Sequence, residues 1–254
     1  MSAPSMRLSI LPLRWADIRD VPIEKKALYL SLCFLVSELN ALQRMALLSF
    51  QILSDQPAFE AAARIQSNSL IRVISGKCHE VGKFLKNCVE KAHDKDVRDI
   101  CRNFLGRFDT LDAAKGSHIS EHIRRKIAFH LDFREAVKST KHADDSVDCS
   151  WYIHDAEGNC YFPAGEHAIF ESNLLRASKD AKHGIRTDTD HSEWVKWTVS
   201  VLALVKEMHV EVFERFIFQP LGGKLQPSNS IDIPKELVAQ RGVDFLPLFL
   251  GGVE

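Results

Sequence analysis

The sequence predicts an all-α protein: an up-and-down bundle of about five long helices, with a small β-hairpin-like insertion before the last. Three observations predict it. Two segments, Ile23 to about Leu53 and Phe59 to Lys91, carry apolar residues at helical spacing over lengths that strands do not reach. Each follows an aspartate–proline start signal, Asp20-Val21-Pro22 and Asp55-Gln56-Pro57. The breaks between periodic segments are short, as in bundles whose sequential helices lie side by side. The chain's 254 residues are 45% hydrophobic and 26% charged, with 12 Gly and 9 Pro, which excludes a collagen-like or disordered chain and supplies a sizeable core.

The elements follow in order. Leu28, Leu32, Leu35, Val36, Leu39, Leu42 and Met45 form the apolar seam of the first helix. Ala62, Leu70, Ile74, Cys78, Val81, Leu85 and Cys88 form that of the second, in which Gly76 and Gly82 predict weakening or a bend. Asp94 is placed to cap a third helix, Val97 to about Leu111. Gly116-Ser117 reads as punctuation, with Ser117 capping a fourth helix that runs to about Lys138. After polar Lys141 to Asp148, two aromatic-bearing runs flank an acidic, glycine-containing turn, Cys149 to His154 and Asn159 to Phe162, which predicts the hairpin. Its aromatic residues, Trp151, Tyr152, Tyr161 and Phe162, serve either to cap the open end of the bundle or to grip a base or partner. Asp190-His191-Ser192-Glu193 has capping-box spacing and opens the last helix, which Gln219-Pro220-Leu221-Gly222-Gly223 ends. With no repeat and no low-complexity linker, residues 1–254 read as one domain. Its bundle core spans about 22–221 and its insertion about 141–189, and the 224–254 tail docks through Phe245 to Leu250.

A net charge of −1 provides no global attraction to nucleic acid or membrane. The charge is uneven, however. Residues 58–126 hold 14 Lys and Arg against 9 Asp and Glu, and residues 132–193 hold 7 against 13, which reads either as the ordinary fluctuation of charge on solvated helices or, should a specific site lie on the basic side, as a basic and an acidic face that give a modest footprint for a polyanion. No continuous apolar h-region follows a basic start, and Ala27 to Val36 and Val199 to Val205 are too short to span a bilayer. The expected setting is cytoplasmic, with no membrane partner. Six cysteines without a CxxC pair read as reduced core thiols.

Metal and cofactor patterns are incomplete. Cys78-His79-Glu80-Val81-Gly82-Lys83 begins like a zincin helix but has Lys83 in the second histidine's place. Glu207, His209 and Glu211 lack a Glu-x-x-His motif and read as a solvated edge. Glu166-His167 and His154-Asp155 are polar loop residues, and no glycine-rich phosphate loop opens a helix. Neither a metal nor a cofactor is expected.

The fourth helical segment contains Ile-Arg-Arg-Lys-Ile-Ala-Phe-His-Leu-Asp from Ile123 to Asp132, with Ile123, Ile127, Leu131 and Phe133 on its apolar side. An arginine followed after several residues by a histidine, late in a helical bundle, resembles the HEPN superfamily, in particular its abortive-infection-type and uncharacterised bacterial branches. The resemblance implies metal-independent RNA cleavage by a homodimer in a toxin–antitoxin or phage-defence setting, with RNA and a cognate antitoxin protein as partners. Carried over, Arg124 takes the arginine position and His130 the catalytic histidine position. Arg125 stands where the family usually has Asn or Asp, and Arg125 and Lys126 are expected to bind substrate. The chemistry is coherent: a neutral histidine exchanges protons near pH 7, and a guanidinium steadies phosphate as charge builds. Six residues separate Arg124 from His130, about 120° around a regular helix, so the two converge only through a long side chain, a bent turn or a partner protomer. The rival expectation is a catalytically silent helical dimerisation module. A weaker third is a bundle that encloses a small ligand.

Overall fold

The computed structural model describes residues 7–49, 56–125, 133–141, 147–155, 157–171, 188–222, 229–234, 238–239, 244 and 246–249. The fold is a mostly α-helical bundle. Its helices are α1 (Ile23–Ser49), α2 (Pro57–Lys91), α3 (Lys95–Asp112), α4 (Lys115–Ile123), α5 (Phe133–Thr140), the short α6 (Pro163–Gly165), which runs on as a wider turn at Glu166–Glu171, and α7 (Asp188–Phe213), which continues into Glu214–Phe218. Helices α1, α2, α3, α4 and α7 enclose the core. It contains Leu32, Leu39, Leu85, Ile100, Phe104, Val201, Val205 and Met208, each fully buried. Each such large side chain contributes about 1.5–3 kcal/mol of hydrophobic stabilisation.

Local chemistry explains the boundaries. Asp94 caps α3 as its position predicts, its carboxylate accepting from the backbone N–H groups of Asp96 and Val97. Glu24 on α1 accepts from the N–H groups of His93 and Asp94, which fixes the α2–α3 turn against the first helix. Helix α2 runs unbroken past Gly76 and Gly82. Gly82 makes room for a partner, because a Cβ there would lie 2.4 Å from Cε1 of Phe108 on α3. Gly222, with φ +66°, ends the last helical segment in the left-handed conformation that suits glycine.

Four expectations are corrected. Gly116 lies within α4 rather than before it. A Cβ there would meet the Glu193 carbonyl oxygen at 2.3 Å and Trp197 Cβ at 2.5 Å, so the residue marks the closest approach of α4 to α7. Ser117 caps nothing: the N-cap is Ala114, and the buried Ser117 hydroxyl donates to Asp112. Asp190 and Glu193 lie inside α7, which already includes Asp188. Phe133 is 80% exposed and does not continue the apolar side on which Ile123 is fully buried.

A three-way polar contact joins α2, α4 and α7. The Ser120 hydroxyl donates to the Ser75 carbonyl oxygen (3.1 Å), and Trp194 Nε1 donates to Ser75 Oγ (2.8 Å). The remaining proton, that of Ser75, therefore spans the 2.5 Å between the two serine oxygens. All three residues are fully buried, and each donor in the group is used.

The insertion contains an antiparallel bridge, with Tyr152 and Tyr161 exchanging backbone hydrogen bonds (3.2 and 3.0 Å) and stacking their rings at 4.6 Å. It is tied to α2 through Glu166, whose carboxylate accepts two bonds from Arg72 (2.7 and 2.9 Å) and one from Asn68 (2.8 Å), while Arg72 lies over the Phe170 ring. The Arg72 and Glu166 side chains are only 16% and 9% exposed, so Glu166 is a structural anchor. A two-stranded antiparallel sheet that the sequence reading does not anticipate pairs β1 (Arg7–Ile10) with β2 (Asn229–Asp232), in register from Arg7 opposite Asp232 to Ile10 opposite Asn229. Leu246 and Phe249 of the tail contact the bundle, the first through its N–H to the Leu48 carbonyl and the second through the Phe59 and Tyr161 rings.

Gly116 on α4 and Gly106 on α3 differ in what a methyl group would meet. Gly116→Ala is expected to lower stability by about 1–3 kcal/mol through overpacking. Gly106→Ala, on the exposed side of α3 with nothing within 4 Å of the added carbon, is expected to raise it by about 0.5–1 kcal/mol. Urea titration of both variants against the wild type measures the contrast.

Candidate functional site

Helix α4 carries Arg124 to the surface. Its first turn is pressed onto α7 by Gly116 and its middle is joined to α2 by Ser120, so its C-terminal end arrives beside Glu80, one turn beyond Ser75 on α2. There the Arg124 guanidinium pairs with the Glu80 carboxylate, with side chains 25% and 50% exposed; Lys83 approaches the same carboxylate at 3.3 Å. An ion pair this wet contributes about 0–1 kcal/mol, so its main effect is to orient the guanidinium. Arg125 is more exposed and bonds back to Glu121, one turn earlier, at 3.2 Å. Lys126 and His130 lie outside the described residues.

His79 is the neighbour that the motif did not announce. It precedes Glu80 on α2, and its Nδ1 is buried without a hydrogen-bond partner. Burial, and then the positive charge of Arg124, hold its pKa below the ordinary 6.5, while Glu121 and Asp112 pull the other way. The segment that began like a zincin helix thus supplies a neutral histidine and a carboxylate to the arginine. Among the described residues no group of three His, Cys, Asp or Glu side chains is arranged to hold a metal ion.

Glu80 also borders an apolar groove of about 500 Å³ between α1 and α2, lined by Leu30, Phe34, Leu35, Val81 and Phe84, with Lys77 on its rim. Phe34 is 73% exposed there. Lys77 pairs with Glu38 across the two helices at 2.8 Å.

A second cluster corrects the solvated-edge reading of α7. Glu207 and Glu211 do pair at the surface, with Arg107 and Arg215. His209 instead turns inward, its Nε2 3.3 Å from Cys33 Sγ on α1 and its ring stacked on Tyr29 at 6.1 Å. Burial lowers the His209 pKa and raises that of the Cys33 thiol, so both groups are held neutral. Among the six cysteines only Cys78 and Cys101 are fully buried; Cys149 is exposed, so the core-thiol expectation is corrected for it. The aromatic insertion divides. Tyr161 docks, its hydroxyl donating to the Ala58 carbonyl, while Trp151 and Ile153 are about three-quarters exposed and Phe162 packs edge-on against Trp151.

No helix among the described residues is long and apolar enough to cross a membrane. No family model, curated protein or solved structure matches this chain.

The two inward-facing histidines make stability depend on pH. Each has a folded-state pKa below its unfolded value of about 6.5. As pH falls through that range the unfolded chain therefore takes up protons before the folded one, and their contribution, intact at pH 7.5, is lost toward pH 5. The urea midpoint is expected to fall between pH 7.5 and 5.5. Titration of the imidazole NMR signals should place both midpoints below 6.5, with Arg124→Gln raising that of His79 and leaving that of His209 in place.

Proposed function

We propose that this protein is an RNA-binding helical protein of the HEPN-like kind. In this reading Arg124 holds a backbone phosphate, Arg125 and Lys126 extend the contact, and His130 transfers the proton in metal-independent cleavage. The observation that supports it is the placement of Arg124: it is oriented by Glu80 at the end of α4, partly open to solvent, with Arg125 exposed beside it. A guanidinium has five N–H donors and a carboxylate engages at most two, so Glu80 fixes the plane of the fork and leaves donors for phosphate oxygens. The histidine's role would be general acid–base transfer between the ribose 2′-hydroxyl and the leaving oxygen, worth about 10²–10⁴ in rate. A homodimer, a cognate antitoxin protein and a cytoplasmic defence setting belong to the same reading and rest on the sequence resemblance.

A second reading, a silent interaction module, is favoured by the open apolar groove and the exposure of Phe34. Solvent-exposed phenylalanine in a continuous apolar groove is a recurrent mark of a partner surface.

The readings separate experimentally. Wild-type protein in EDTA is expected to cleave total cellular RNA, leaving 2′,3′-cyclic phosphate ends, with loss of about 100-fold or more in His130→Ala and Arg124→Ala at unchanged elution volume. Arg125→Ala should weaken RNA binding at all sequences and reduce the slope of log K against log salt by about one. Equal cleavage by all variants, or no RNA binding by the wild type, would overturn the proposal. Loss of self-association in Phe34→Asp with RNA binding absent throughout would establish the interaction module.

A further inference from the structure

Helices α1 and α2 run antiparallel: Glu38 meets Lys77 at one end of the pair, and Glu24 meets the N–H groups of His93 and Asp94 at the other. The groove of about 500 Å³ beside Phe34 shares Ser31 and Phe84 with a second hollow of about 270 Å³, lined by Glu24, Ala27, Asn87 and Lys91. One groove therefore follows the two helices. Its lining residues recur seven apart, as Ala27 and Phe34, Leu28 and Leu35, and Val81 and Cys88 do. That is the repeat of a seam on which further helices pack. On the open side of α1 the stripe Ile23, Ala27, Leu30 and Phe34 continues it at spacings of four, three and four, and all four residues are exposed. The same repeat divides the charge by wall. Glu24, Ser31 and Glu38 share one heptad position on α1, and Lys77, Phe84 and Lys91 share another on α2. An acidic wall and a basic wall thus end together, Glu38 beside Lys77 and Glu24 beside Lys91. Glu80, on the basic wall, is already engaged by Arg124 and Lys83.

We propose that a second copy of this chain covers the groove, in a two-fold dimer whose axis runs along the helices and sets α1 of each protomer against α2 of the other. The proposal names the occupant of the groove on which the interaction-module reading rests, and it stands apart from RNA binding. A two-fold axis along the helices leaves every residue at its own height. Each Glu38 then faces the partner's Lys77, and each Glu24 faces the partner's Lys91. Both ends close as rings of four alternating charges, and the four helices form one antiparallel bundle. Leu30 and Phe34 of each chain enter the other's groove, where Ser31 at the centre is small enough to leave room. The alternative face-to-face dimer has its axis across the helices, which stacks α1 on α1 and α2 on α2 in opposite directions. Glu38 would then face Glu24 and Lys77 would face Lys91, like charge against like at both ends. The charge pattern therefore favours the first arrangement and disfavours the second.

The test is sedimentation velocity of the full-length protein at low salt. The wild type is expected to dimerise. Phe34→Asp should raise the dissociation constant about 30-fold or more, while Val199→Asp, at an exposed valine on α7, should leave it unchanged. Lys77→Glu is expected to weaken association about fivefold, because it faces the partner's Glu38. Adding Glu38→Lys to that variant should restore association, since the pairs within and between chains are both re-formed. Mixed with isotope-labelled wild type, the doubly exchanged chain should give few mixed dimers in native mass spectrometry, because every cross pair would then be like-charged. A monomeric wild type, or a dimer indifferent to Phe34→Asp, would overturn the proposal. Stronger association in Lys77→Glu would overturn the arrangement, because the crossed-axis dimer places that position against Lys91. RNA binding by Phe34→Asp reports separately on Arg124, so failure of the dimer and failure of the RNA reading are distinguishable.

Discussion

The seating of α4 is the constraint on which the rest of the structure depends. Nine helical residues cannot hold themselves in water, since isolated helices of that length are marginal even with the best helix formers. Helix α4 is held by proximity to two longer helices, and that proximity is permitted by small residues. Gly116 lets its backbone meet α7, and the Ser75–Ser120–Trp194 contact joins the three helices by hydrogen bonds whose donors are all used. The same contact selects a register. In a dry interior an unmatched hydroxyl or indole N–H costs about 1–3 kcal/mol, so a slip of one turn would orphan several groups together. Ile119 and Ile123 then fall into a second small core with Ile71, Phe170 and Trp194, and Arg124 emerges beside Glu80.

That geometry gives Glu80 two opposing effects. Its carboxylate reduces the net positive charge presented by Arg124, which weakens long-range attraction for a polyanion. It also restrains a long side chain that would otherwise lose rotamer entropy on binding, about 0.5–1.5 kcal/mol for a side chain of this kind. A pair this exposed is screened at physiological salt, so the repulsive effect fades with distance while the orienting effect persists at contact. Orientation is thus the larger consequence for a ligand that has already arrived. The neutral state of His79 fits the same balance: a second positive charge there would repel Arg124 within a half-dry pocket.

What the sequence discloses and what it conceals divide along contact range. Asp94 was legible as a cap because its two partners lie two and three residues away. The helical seams were legible because burial repeats every turn. Gly116 was not, since a glycine that ends a helix and one that admits another helix look alike until Glu193 and Trp197 are known to lie across from it. The pairing of Glu80 with Arg124 and of Cys33 with His209 joins residues 44 and 176 positions apart, with no spacing signature. The β1–β2 sheet was not legible because each strand is only four residues long and, with Leu8 and Ile231 more than half exposed, the alternation of Arg7 to Ile10 is too short to mark a buried face.

The insertion shows how one buried charge can specify where a weakly patterned segment sits. A single Tyr152–Tyr161 bridge and two stacked rings do not fold alone in water. Apolar contact from Phe170 would favour docking without fixing its position, because hydrophobic attraction has no direction. Glu166 supplies direction: its two oxygens accept from Arg72 and Asn68, and Arg72 is itself held by Ser69 and the Phe170 ring. Desolvating such a pair offsets much of its attraction, so its net stability is small, while breaking it by removing one partner strands the other charge at a cost of about 3–5 kcal/mol. Alternative placements of the insertion are therefore penalised more than the native one is rewarded. That asymmetry keeps Trp151 and Ile153 on the outside of the molecule, where their exposure results from how the loop is anchored.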